Sequence, residues 1–186
     1  GTPEDPWFRG NGISYYYFGY WMMSTLGKLS NIQTNISYNL AMAVIPALGA
    51  TAIFGLVYNL IRHSIISLRY AIIGGLSATV FLGIAANLEG ILEFINVNSS
   101  GISWLWEWVR IDGLRGGTQS NLFSWTPTEH WWWFRATRVI NTFQGISGVD
   151  YTIQEFPFFS FLLGDLHPHV ISIPFVILFM ALCWNF

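Results

Sequence analysis

The stretch "EFPFFSFLLGDLHPHV", residues 155–170, sets Glu155, Asp165, His167 and His169 among mostly apolar neighbours. Imidazole nitrogens and a carboxylate are ligands for a divalent metal, so Asp165, His167 and His169 form a candidate site for Mg or Mn. A carboxylate there could instead act as a general base, taking a proton from an acceptor hydroxyl if partial burial tunes it. Pro168 holds the backbone between the histidines, and a residue before proline avoids the helical region. The plainer alternative is a helix start, with Asp165 as the cap.

Other charged residues invite similar questions. Glu89 and Glu93 lie four apart and so share one face of a helix. An acid near membrane depth is costly and is a functional candidate by default, Glu89 being the deeper of the two. In "WWWFRATR", Arg135 and Arg138 are three apart, and an arginine beside tryptophans suits a phosphate head group or anionic lipid. "PEDPW" brackets Glu4 and Asp5 between two prolines, which predicts an extended or turn conformation.

These residues must be positioned by a very apolar chain. Its 186 residues are 53% hydrophobic and only 10% charged, with ten tryptophans. A soluble domain carries about 25% charged residues, so the composition points to a membrane protein. A net charge of −2 gives no reason to expect a nucleic-acid partner. Cys183 is the single cysteine, which excludes an internal disulfide.

The pattern predicts an all-α fold, a polytopic helical bundle with about three transmembrane helices, interfacial helices and a Trp-rich outer loop. The spans are expected at 36–61, 70–92 and 169–186, because a crossing helix needs roughly 20 apolar residues. Small residues such as Gly74, Gly75 and Ala78 suit the second span to close helix packing. The short link "RHSIISLR" carries Arg62 and Arg69, which favours a cytoplasmic location for it. Residues 1–35 and 93–168 then face outward. The aromatic segment "ISYYYFGYWMMSTLGKL" suits an interfacial helix. "SWLWEWV" and "EHWWWFRATRVI" read as short helices, and "NVNSSG", "DGLRGG" and "SWTPTEH" as turns. The whole reads as one membrane domain of a longer multi-pass protein, expected in a prokaryotic plasma membrane. Its lipid bilayer is one partner, and the oligomeric state is left open.

"PEDPWFRGNGISYYYFGYWMMSTLGKLSNIQTNISYNLAMAVIPALGATAIFGLVYNLI" resembles the membrane family known for its triple tyrosine, the chlor-arch YYY domain. "EFPFFSFLLGDLHPHV" looks like that family's other characteristic block. The usual histidine after the tyrosines is replaced here by Tyr20. The order of an acidic turn, an aromatic helix, a long span and a small-residue span is also distantly similar to C-type glycosyltransferases. That resemblance implies a lipid-linked sugar donor, a polyprenyl phosphate, and transfer on the non-cytoplasmic face. It implies a catalytic acid in the first outer loop, best matched by Asp5, with Asp165 and Glu89 as further candidates. Glu4, Glu155, Arg135, Arg138, Tyr16 and Tyr17 are the substrate-binding candidates it implies. The competing expectation is a non-catalytic transporter or a structural subunit of a membrane complex.

Overall fold

The structure is a computed structural model, and it describes residues 3–64, 67–85, 87–98, 103–111, 114, 132–145 and 147–185, with only the backbone described at Trp132. Eight helices and one hairpin occur among them: α1 (Phe18–Leu29), α2 (Thr34–Ser64), α3 (Leu68–Gly83), α4 (Glu89–Asn98), α5 (Ser103–Val109), α6 (Trp132–Arg135), β1 (Ile140–Gln144), β2 (Ser147–Thr152), α7 (Pro157–Leu163) and α8 (Pro168–Asn185). The chain divides into two compact units, residues 1–83 with 160–186, and residues 84–159.

The first unit is built on α2, whose 31 residues reach roughly 46 Å at the usual helical rise. Helix α3 returns antiparallel to it. Gly75 faces the Phe54 ring, where a Cβ would come within 2.7 Å, and Thr79 Oγ1 reaches the Ala50 carbonyl at 3.3 Å. The small residues of this helix therefore do what their size predicts, allowing close backbone approach. Helix α8 runs parallel to α2: Val170 meets Ala41 and Ile45, Gly49 abuts Ile173, and the His63 ring meets Trp184 edge-on. Successive reversals of direction give this arrangement. Ala41, Ile45, Leu166, Val170 and Ile171 form the buried centre, with Tyr20 and Met23 of α1 against it. Most other apolar side chains of α2, α3 and α8 point outward, including Leu48, Ile73, Phe81, Val176 and Phe179. A surface of this kind is stable against lipid and not against water.

Among the described residues, two helices, α2 and α8, are long and apolar enough to cross a membrane. The third expected span is not confirmed. Helix α3 has 16 residues, about 24 Å, and it stops at Gly83. The apolar run continues in sequence, but Asn87 interrupts it. Its Oδ1 accepts from the Glu89 backbone N–H at 2.8 Å, as a residue opening a new helix does.

The all-α expectation also needs correction, because the second unit contains a hairpin. β1 pairs antiparallel with β2, from Ile140 opposite Thr152 to Gln144 opposite Ser147, and the register shifts between Thr142 and Phe143. Gly145, at φ +64°, opens the turn. Thr142, Phe143 and Val149 favour strands through their branched or aromatic side chains. "SWLWEWV" is α5 as expected. Among the described residues of the second aromatic run, 132–135 form α6, after which the chain extends into β1. Asn96 to Asn98 of the expected turn "NVNSSG" belong to α4. "SWTPTEH" and most of "DGLRGG" fall outside the described residues. A small core of Trp106, Ile111 and Leu114 holds this unit, with Leu92 and Ile95 of α4 and Val139 packed on it.

Candidate functional site

The polar site of the first unit is built by two helix ends meeting in sequence. Helix α7 closes with a left-handed residue, Gly164 at φ +66°. The Asp165 N–H donates to the Ser160 carbonyl at 2.9 Å, and the Gly164 N–H to the Phe161 carbonyl at 3.2 Å. These two reverse bonds satisfy carbonyls the helix would otherwise orphan, and glycine meets no Cβ penalty there. Pro168 then starts α8 at the position where a missing N–H is harmless. The His167 carbonyl accepts from Val170 and Ile171 at 3.0 and 3.1 Å, so His167 occupies the cap position through its backbone.

Asp165 is therefore not used as the cap. Its Oδ2 lies 3.0 Å from His167 Nδ1, with the two side chains 39% and 29% exposed. An ionised carboxylate can only accept, so Nδ1 carries the proton and Nε2 becomes the basic end of the ring. The His169 ring centre is 5.3 Å from that of His167, and its Nε2 is 3.3 Å from Ser160 Oγ. Tyr38 of α2 braces the turn: its hydroxyl donates to the Gly164 carbonyl at 3.1 Å and accepts from the Leu166 N–H at 3.2 Å. Tyr38 and Ser160 went unnoticed in the sequence. No local signal marks Tyr38, which is 126 residues from Gly164.

The remaining candidates of this unit behave differently. Asp5 Oδ1 accepts from the backbone N–H groups of Trp7 and Phe8 at 2.8 and 3.1 Å, closing the turn its flanking prolines predict. A carboxylate held this way organises its own loop. Glu4 is exposed and pairs with Gly12 through a backbone bridge. Tyr15 and Tyr16 meet edge to face at 4.7 Å on the surface, and half-buried Tyr17 precedes α1. Along α2 and α8, a groove of about 640 Å³ is lined by Thr51, Asn59, Arg62, His63 and Trp184, among others.

The second unit gathers Glu89, Glu93 and Arg135. Glu89 and Glu93 are 3% and 2% exposed, and Arg135 Nε contacts Glu93 Oε1 at 2.5 Å. Asn87 Nδ2 donates to the Ala136 carbonyl at 2.7 Å, fixing α4 to the segment after α6. Burial pushes the Glu89 carboxyl up to about 9, aided by a hydrogen bond and the negative charge of Glu93, while Arg135 acts the other way. Arg138 goes elsewhere, lying 3.6 Å over the Phe134 ring and donating to Thr137 Oγ1. Thus the two arginines take separate partners. Glu155, half-buried, belongs to this unit too. Buried Asn96, three residues after Glu93, was missed, since "NVNSSG" reads as a turn.

Long apolar helices with outward-facing side chains and polar groups at helix ends define a helical membrane protein. The chain belongs to the uncharacterised membrane protein family DUF2298, whose model matches residues 2–186. No curated protein and no solved structure matches the chain.

Proposed function

We propose that the chain belongs to a membrane transferase that moves a sugar from a polyprenyl-phosphate carrier to an acceptor hydroxyl on the non-cytoplasmic face. The Asp165–His167 contact at the head of α8 carries this reading. His167 Nε2 removes the acceptor proton while Asp165 holds the ring and stabilises the imidazolium that forms. The acceptor oxygen bonds to the anomeric carbon as the bond from that carbon to the phosphate oxygen breaks, with inversion. The departing phosphate is the group needing electrostatic help, and His169 is the nearby donor for it. This gives Asp165 a positioning role and removes Asp5, whose carboxylate closes its own turn. The distant resemblance in segment order to C-type glycosyltransferases is the reason for the choice of donor.

A divalent metal is the competing use of the same atoms. His167 Nδ1 and Asp165 Oδ2 would ligate it in place of the proton they share, and the imidazoles favour manganese over magnesium.

The test is turnover of a radiolabelled polyprenyl-phosphate sugar by the full-length protein. Asp165→Asn and His167→Gln should each lower the rate roughly 10²- to 10⁴-fold. Asp5→Asn should retain it. A rate abolished by chelator and restored by manganese would favour the metal over the dyad. Unchanged transfer in both Asp165→Asn and His167→Gln, or no transfer by the wild type, would leave the transporter or structural-subunit reading.

A further inference from the structure

Helix α4 is built inside out. Its polar residues Glu89, Glu93 and Asn96, at i, i+4 and i+7, form one stripe and are 3%, 2% and 1% exposed. Ile91 and Phe94, on other faces, are 57% and 43% exposed. A helix packed against water shows the reverse pattern. The polar stripe must therefore have an internal purpose or internal partners.

Partners are found for part of it. Arg135 neutralises Glu93. Glu89 differs, because both its carboxylate oxygens are buried and no donor among the described residues reaches either, so the hydrogen bond open to it is the one to Glu93, which needs a proton. Among the described residues, two carboxylates facing one guanidinium leave one negative charge uncompensated. Burying such a charge alone is prohibitive, so the group binds a cation or becomes neutral. Two ionised carboxylates cannot hydrogen-bond each other, since both only accept. One added proton removes the excess charge and converts Glu89 into the donor that Glu93 can accept.

We propose that Glu89 and Glu93 form a buried proton-binding site, holding one proton between them while Arg135 compensates the remaining charge. This is independent of the transfer reaction, which uses neither acid. When the proton leaves to solvent, the stranded charge on Glu89 faces Glu93 from its own helix and Arg135 from α6, the latter offsetting part of the penalty. The second unit thus carries an exchangeable proton in an apolar setting, the arrangement on which proton relays in membrane proteins rest.

Infrared spectroscopy of the full-length protein in lipid nanodiscs, with isotope-labelled glutamate, reads the proton directly. A protonated carboxyl band should be present at neutral pH, titrate away near pH 9, and vanish in Glu89→Gln. Glu93→Gln should lower the midpoint by about one pH unit or more, because the neighbouring charge and acceptor are removed. The proposal is overturned if the wild type shows no protonated glutamate at neutral pH. It is also overturned if the midpoint is unmoved in a folded Glu93→Gln, or if sodium in place of choline displaces the band, which would assign a metal cation instead. A stability titration covers the case in which a variant folds poorly. Folded Glu89 holds its proton to about pH 9 and an unfolded glutamate only to 4.5, so wild-type stability should fall as pH rises through that window and level off above it. A flat wild-type profile would contradict the site.

Discussion

Both units pair an acid with a basic side chain, but they do so in opposite surroundings. In the first, Asp165 and His167 stand at the mouth of α8, each side chain still reached by solvent. In the second, Glu93 and Arg135 are closed in, with Glu89 beside them and the apolar residues of α4 turned outward. An exposed pair is screened and adds little to stability, whereas a buried pair leaves a stranded charge when one partner is lost. The difference teaches where to seek each property. The exposed dyad is reachable by a substrate, and the buried triad suits the storage of a proton.

The comparison can be broken by mutation. Glu93→Ala should have the largest effect on stability, a loss of about 3 kcal/mol in unfolding of the detergent-solubilised protein. That is the low end for breaking a buried pair, since Glu89 can ionise and take over Arg135. A loss below about 0.5 kcal/mol, the scale of an exposed pair, would show that the two units do not differ as described. Gly75→Val comes next, at about 2 kcal/mol, because the new side chain must displace the stiff Phe54 ring between α2 and α3. Tyr38→Phe should cost about 1 kcal/mol through its two lost hydrogen bonds. It should also lower transfer, as the Gly164–Asp165 turn loosens, without changing the Glu89 titration. Asp165→Asn should change stability least, by about 0.5 kcal/mol or less, while reducing turnover strongly. A large stability loss there would mean that Asp165 is structural.

Much of the first unit was legible because its information is local. The expected spans 36–61 and 169–186 correspond to α2 and α8 within a few residues, and uninterrupted apolar runs make that so. "PEDPW" is a turn and "SWLWEWV" a helix for equally local reasons. The span expected at 70–92 is not confirmed as one continuous helix, because hydropathy is blind to a cap: Asn87 restarts the helix inside an apolar run. The hairpin was hidden because its residues, 140–152, carry no strong alternation and fall in a stretch that reads as part of the outer loop.

The sequence by itself determined the membrane character, the long helices, the turn at "PEDPW" and the shared face of Glu89 and Glu93. Each depends on composition or on neighbours within about one helical turn. Only the tertiary structure decided which polar groups meet. Tyr38 holds Gly164 across 126 residues, and Arg135 reaches back 42 residues to Glu93. It also decided that Arg135 meets Glu93, and that Glu89 faces that pair. Such pairings follow from how helices pack, and packing depends on contacts that no short window of sequence contains.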